Sequence, residues 1–130
     1  KLSEKVGMKF TYVVLATIVL FYGARTIIRN KDWHDAKTLF SATVKVSPNS
    51  LITRTALVAV YIKTDEWDKA KEQLDIARSI HENNSRIQNL LGIVADHDGD
   101  YGLAEERYKR SLELNPDAVN AQINLAEFYA

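Results

Sequence analysis

Residues 96–100 place carboxylates beside a histidine and a glycine, which is the composition of a calcium-binding loop. Such loops need a glycine at the sixth position and a bidentate glutamate at the twelfth. Here Gly99 comes two positions early, and Arg107 occupies the position of the glutamate. The other histidines, His34 and His81, lie far along the chain, so a shared zinc site would need long-range convergence. The pattern therefore predicts no metal site.

Residue groupings for catalysis are equally scarce. We find no Ser/His/Asp grouping, glycine-rich phosphate loop or paired-carboxylate motif that indicates an active site. The chain has no cysteine, which removes thiolate chemistry and a disulfide framework. Residues 31–130 carry 12 basic and 16 acidic side chains, a poor charge balance for binding phosphates. The sequence predicts a segment that is not an enzyme by itself and that uses no cofactor, metal or nucleic acid.

A repeating register organises the chain, with a period of about 34 residues. Within residues 85–118, apolar residues recur at helical spacing, stop at a turn over residues 98–100 and then resume. This pattern predicts two short helices joined by a tight turn. The carboxylates of Asp32, Glu66 and Asp100 share the register and are predicted to cap second helices. Other positions one period apart are Ala36, Ala70 and Ala104; Trp33, Trp67 and Tyr101; Phe40, Leu74 and Tyr108; and Leu57, Leu91 and Leu125.

The period has this length and recurring small and aromatic positions, and a proline position is represented by Pro116. This pattern resembles the tetratricopeptide repeat (TPR). The resemblance implies an all-α chain of helix–turn–helix units that stack into a right-handed superhelical solenoid and serve as a binding scaffold. We expect complete repeats over 51–84 and 85–118, with partial repeats over 17–50 and 119–130. The residues expected to pack the repeats are Trp33, Ala36, Phe40, Trp67, Ala70, Leu74, Leu91, Gly92, Ala104 and Tyr108.

An apolar segment precedes the repeats. Residues 10–22 contain no charged side chain, and a helix over Met8–Ile28 would be about 31 Å long, enough to cross a bilayer. We therefore predict a membrane anchor in residues 1–30, with a transmembrane helix over about 8–28, and a solenoid in residues 31–130. A signal-peptide core and a buried solenoid helix are the alternatives. The end of the segment also falls in the register, so it could double as a repeat helix.

The first helix of each repeat is expected to line the concave face of the solenoid. This face could hold an extended peptide or a helix of a protein partner, or it could be ordinary solvent-facing surface. Some TPR domains clamp the terminal carboxylate of a peptide with polar residues, but Ala56 and Leu90 occupy two of those positions, so such recognition is not expected. The candidate groove residues are Arg86, Asn89, Ile93, Asp96, Asn120, Ile123 and Glu127.

The junction between the apolar segment and the repeats carries a narrower resemblance. Residues 25–33, 39–40 and 45–50 resemble the passage from the last membrane helix into the repeats of the transmembrane and TPR-repeat-containing (TMTC-like) O-mannosyltransferases and their bacterial relatives. This resemblance implies a lipid-linked sugar donor, an active site in earlier membrane loops, and repeats that face the periplasm or the ER lumen and hold the acceptor protein. The alternative is a non-enzymatic, single-span TPR adaptor in envelope protein assembly or quality control.

Overall fold

The computed structural model describes residues 14, 15, 17–19, 21–23 and 36–130. These residues form helices and short turns without any strand among them, so the predicted all-α class is confirmed for this part of the chain. The chain divides into two units, Lys1–Asp35 and Ala36–Ala130. In the second unit, helix α1 covers residues 36–46, followed by α2 (Leu51–Lys63), α3 (Trp67–Ile80), α4 (Ser85–His97), α5 (Tyr101–Leu114) and α6 (Val119–Phe128).

The helices of the second unit pack as consecutive pairs. Helix α2 packs against α3 and α4 packs against α5, so that residues 51–84 and 85–118 each contain one pair. Helix α4 also contacts α2 on one side and α6 on the other. The first helices of successive pairs are therefore neighbours, and they share one face.

The turns inside the two pairs have the same geometry. Asp65 and Gly99 are one period apart, and both have a positive φ, of 56° and 80°. The backbone N–H of the residue after each of them donates to the carbonyl five residues earlier. Glu66 donates to Tyr61 and Asp100 donates to Ala95, both at 2.9 Å. This bond closes the end of a helix when a left-handed residue follows it. Glycine suits that conformation better than aspartate does.

The capping prediction is confirmed at one position and wrong at another. The Asp100 carboxylate accepts from the backbone N–H of Leu103 at 3.1 Å and caps α5. The Glu66 side chain makes no such bond. Its carboxylate instead accepts from the ammonium groups of Lys37 at 2.5 Å and Lys69 at 2.6 Å, and from a threonine hydroxyl. These charged donors compete with the helix end for the carboxylate. Asp32 lies outside the described residues.

The core lies between the paired helices and is filled by pairs of residues of complementary size. Val58 and Leu74, on α2 and α3, belong to one buried cluster. At the positions one period later stand Gly92 and Tyr108, on α4 and α5. Tyr108 is 2% exposed and its ring lies against Gly92, so that no room is left for a side chain there. A large residue on one helix thus accompanies a smaller one on its partner.

The residues expected to pack the repeats differ in how deeply they are buried. Ala70, Leu74, Gly92, Ala104 and Tyr108 are buried in the described unit. Those that are half-buried are Ala36, Phe40, Trp67 and Leu91. Trp33 lies outside the described residues.

Most of the predicted membrane segment, Met8–Ile28, lies outside the described residues. Its described residues are helical, and six of them carry large apolar side chains that are exposed, namely Val14, Leu15, Ile18, Val19, Phe21 and Tyr22. In the part of the chain that the structure describes, no helix has both the length and the apolar character needed to cross a membrane.

Candidate functional site

A groove runs along α4 between α2 and α6. Its volume is about 300 Å³, and a second cavity of about 430 Å³ opens beside it, at the beginnings of α4 and α6. Arg86, Asn89 and Asn120 line both spaces, which connects them. We call the 300 Å³ space along α4 the first-helix groove. It is lined by Ala59, Lys63, Arg86, Asn89, Leu90, Ile93, Asn120, Ile123 and Asn124.

The structure brings five of the seven predicted groove residues to this lining, namely Arg86, Asn89, Ile93, Asn120 and Ile123. The other two, Asp96 and Glu127, lie further along α4 and α6 and do not line either space. The sequence interpretation missed Lys63, Leu90 and Asn124. Asn124 stands one period after Leu90, so the register was the signal that could have found it.

Hydrogen-bond donors gather at the end of the groove where α4 begins. The Arg86 side chain is exposed and makes no hydrogen bond or ion pair with any described residue. Asn89 is only 7% exposed, and its oxygen accepts from the Asn124 amide nitrogen at 2.9 Å. This bond fixes the Asn89 amide, whose own nitrogen donates to no described residue. A carboxylate or a peptide carbonyl is the natural partner for such donors.

Carboxylates lie toward the opposite end of α4 and α6. The side chains of Asp96 and Glu127 make no ion pair with any described residue, and both lie near the buried Tyr108. Burial, together with these two carboxylates, raises the pKa of Tyr108 to about 12. A tyrosine phenol is neutral at physiological pH even without this shift, so the negative charge near Tyr108 belongs to the two carboxylates.

A polar brace holds the beginning of each first helix, and apolar periodicity gave no sign of it. Arg54, Gln88 and Gln122 are spaced one period apart, and each donates to the backbone carbonyl six residues earlier. For the two glutamines this distance is 2.8 Å. Gln88 is 1% exposed and adjoins Asn89 in sequence. The brace thus fixes the turn of α4 from which the donor end of the groove projects.

The partners of two brace residues are exchanged between repeats. The Arg54 guanidinium donates to Gln73 on α3 at 2.6 Å, whereas Gln88 accepts from the Arg107 guanidinium on α5 at 3.1 Å. The two pairs occupy equivalent positions with their residue types reversed. An arginine–glutamine contact is therefore kept while the charge moves from one helix to the other.

The residues of the calcium-like run have structural partners. The His97 ring stacks on the Trp67 ring with 3.6 Å between centroids, and its Nδ1 lies 3.2 Å from Asp98. Asp98 also pairs with Lys71 at 2.7 Å. The lysine first, and then the histidine, lower the pKa of the Asp98 carboxyl. Within the described ranges, no group of three or more histidine or acidic side chains is arranged to hold a metal ion.

Known proteins resemble this chain in sequence and in fold. It is 33% identical over 48 residues to the mouse (Mus musculus) protein O-mannosyl-transferase TMTC2, covering 37% of the chain. It is 26% identical to mouse TMTC3 over 97% of the chain, and 30% identical to human (Homo sapiens) RANBP2-like and GRIP domain-containing protein 2 over 62%. The chain spans only 5% to 15% of the length of these relatives.

A solved structure shares the fold at low sequence identity. It is the first TPR of Spaghetti (RPAP3) bound to the HSP90 peptide SRMEEVD, with a TM-score of 0.65 and 16% identity, covering 78% of this chain and 81% of that one. A family model described as tetratricopeptide repeat matches residues 28–93, about half of the 130 residues. The chain therefore belongs to the tetratricopeptide repeat family, whose helix pairs form protein-interaction modules.

Proposed function

We propose that this chain is a protein-interaction module that binds a peptide segment of its partner in the first-helix groove. The observation that carries the proposal is the Arg86 guanidinium, which lies exposed in a groove and pairs with no described residue. Asn89 and Asn120 line the same space and add amide groups that suit a peptide backbone. The solved relative that holds a peptide supports a peptide as the ligand.

A peptide's terminal carboxylate is not the ligand we propose. Ala56 and Leu90 provide no polar group at positions where a carboxylate clamp needs one, and only Asn124 is polar at the equivalent position of the third repeat. The Asn124 amide is moreover bound to Asn89. The proposed ligand is therefore an internal, extended segment.

We further propose that the module serves a TMTC-like membrane glycosyltransferase by holding its acceptor protein. The similarity to mouse TMTC3 over 97% of the chain supports this proposal. The exposed apolar side chains among the described residues 14–22 support a membrane tether over residues 8–28. In this arrangement the repeats lie on the extracytoplasmic side, in the periplasm or the ER lumen, and the transfer chemistry belongs to another part of the parent protein.

The second candidate is a TPR adaptor that serves no transferase. The similarity to a RANBP2-like and GRIP domain-containing protein favours it, since that relative is not named as a transferase.

Carbonate extraction of membranes tests the proposed tether, and protease protection of the repeats tests the side of the membrane on which they lie. Release by carbonate, or digestion from the cytoplasmic side, would exclude the extracytoplasmic acceptor-binding role.

Peptide binding itself is tested by selection from a phage library of 12-residue peptides on the 130-residue chain. Selected peptides should lose affinity for Ile123→Arg, which fills the middle of the groove. They should bind unchanged to Glu106→Arg, because Glu106 is an exposed residue of α5 and does not line the groove. Equal binding to both variants would place the peptide elsewhere and refute the groove.

A further inference from the structure

Three charged side chains near the groove oppose the helix dipole. Arg86 lies in the first turn of α4, where the dipole favours a negative group. Asp96 lies in the last turn of the same helix, and Glu127 lies in the last turn of α6, where a positive group is favoured. None of these side chains pairs with a described residue that would offset the cost. Local rules are broken in this way at functional sites.

Arg86 lines the groove where α4 begins, whereas Asp96 and Glu127 lie beyond the lining, toward the ends of α4 and α6. Lys63, the last residue of α2, lines the groove on its other side. Arg86 and Asp96 are ten residues apart on one helix, which corresponds to about 15 Å. Between Arg86 and the two carboxylates, Ile93 and Ile123 provide apolar surface, and Ile123 is 48% exposed. An extended peptide advances about 3.3 Å per residue, so it covers the same distance in four or five residues.

We propose that the groove selects an extended peptide segment with an acidic side chain at one end, a basic side chain four residues away on the same face of the peptide, and apolar side chains between them. The acidic side chain binds Arg86 beside the Asn89 amide, and the basic side chain binds between Asp96 and Glu127. This inference rests on the proposed function and specifies its ligand. The larger cavity lies beyond Arg86, which leaves the peptide room to continue past its acidic residue.

The acidic contact is tested with synthetic peptides that are acetylated and amidated, so that their ends carry no charge. One peptide contains glutamate and lysine four positions apart with leucine and valine between them, and a second carries glutamine in place of the glutamate. For the unaltered chain, we expect the change to glutamine to weaken binding about tenfold, since it removes a charged hydrogen bond. For Arg86→Gln, the two peptides should bind equally.

The basic end is tested in the same way with the double variant Asp96→Asn, Glu127→Gln and a peptide in which glutamine replaces the lysine. This variant should lose the preference for lysine and keep the preference for glutamate. Arg78→Gln is the matched control, because Arg78 is an exposed arginine of α3 that does not line the groove. It should keep both preferences. In the unaltered chain, both preferences should weaken at high salt.

Two results would overturn the inference while leaving the proposed function intact. One is binding in the groove, shown by shifted amide resonances of Asn89 and Asn120, with equal affinity for charged and uncharged peptides. The other is a preference for glutamate that Arg86→Gln leaves unchanged. Tighter binding of a peptide that presents a free C-terminal carboxylate would overturn both the inference and the internal segment proposed as the ligand. If no peptide of either set shifts those resonances while phage-selected peptides do, only the inference is wrong. If the selected peptides do not shift them either, the proposed function is wrong as well.

Discussion

Replacing Gly92 with alanine should destabilise the repeats, although alanine is the better helix former. A Cβ atom at residue 92 would lie 2.6 Å from two ring carbons of Tyr108, whereas carbon atoms in contact are normally about 3.5–4.0 Å apart. The ring would have to move by about 1 Å. The ring belongs to a buried cluster with Ala95 and Ala104 and also contacts Phe128, with the ring centroids 6.1 Å apart.

The expected loss follows from two opposing effects. Overpacking of a buried site costs about 1–3 kcal/mol, and replacing glycine by alanine inside a helix gains about 1 kcal/mol. Because Tyr108 is nearly fully buried, the cost should lie in the upper half of its range. We expect Gly92→Ala to lower the free energy of unfolding by about 1–2 kcal/mol, measured by urea denaturation followed by circular dichroism.

Gly102 is the matched control. It lies in the first turn of α5, and a Cβ atom there would meet nothing closer than an aspartate oxygen at 3.9 Å. Gly102→Ala should therefore be neutral or stabilise by up to about 1 kcal/mol. Equal or greater stability of Gly92→Ala would show that the Tyr108 ring does not lie against α4, and the packing of this helix pair would be refuted.

The equivalent pair in the preceding repeat supplies a rescue. Val58 and Leu74 occupy the positions of Gly92 and Tyr108. Gly92→Val should be more damaging than Gly92→Ala, because its branched side chain enters the same space. The double variant Gly92→Val, Tyr108→Leu should recover much of the loss. A double variant no better than the sum of its single changes would mean that the two positions are not coupled.

Three further outcomes are expected. Gln88→Arg should lower the free energy of unfolding by about 1–3 kcal/mol, because it buries a second guanidinium beside Arg107. Adding Arg107→Gln should restore most of that loss in urea denaturation. A double variant without this recovery would refute the exchanged arginine–glutamine pairs. Asp65→Gly should raise the free energy of unfolding by up to about 1 kcal/mol by relieving its positive φ, while Gly99→Ala should lower it by about 1 kcal/mol; the same sign for both would contradict the shared turn geometry. Contacts with Lys37 and Lys69 lower the Glu66 pKa from 4.5 to about 2, so the stabilising effect of Glu66 should be complete above pH 4.5 and lost as pH falls toward 2. A difference in the free energy of unfolding between the unaltered chain and Glu66→Gln that stays constant across that range would contradict this.

The helices and the turns between them were accessible from the sequence because they depend on local rules. Small residues such as Ala70 and Ala104 must recur wherever two helices cross closely, and a left-handed turn must follow each first helix. These requirements act within a few residues, so spacing alone locates them. The failure of Glu66 to cap α3 depends instead on partners such as Lys37, which is 29 residues away. Nothing near Glu66 in the sequence reveals that lysine as its partner.

The brace and the Asn124 contact were missed for a different reason. Arg54 and Gln88 differ in charge and shape, so a comparison of residue types does not pair them. What they share is length and a terminal N–H donor that reaches the same carbonyl. Asn124 holds Asn89 across two helices that are neighbours only in the folded solenoid. Such contacts appear only after the helices are placed.

Packing and groove positions obey different constraints inside this one chain. At the packing positions a change in one residue is offset by its partner, as Gly92 is offset by Tyr108. The groove positions show no such compensation, because Arg86 and Asn120 are one period apart, and so are Asn89 and Ile123, yet the two residues of each pair differ in type. A packing residue is constrained by the other helix of its pair, whereas a groove residue faces only what enters the groove. No two repeats present the same groove residues. A ligand that contacts at least two repeats is therefore distinguished from other ligands by two different sets of side chains.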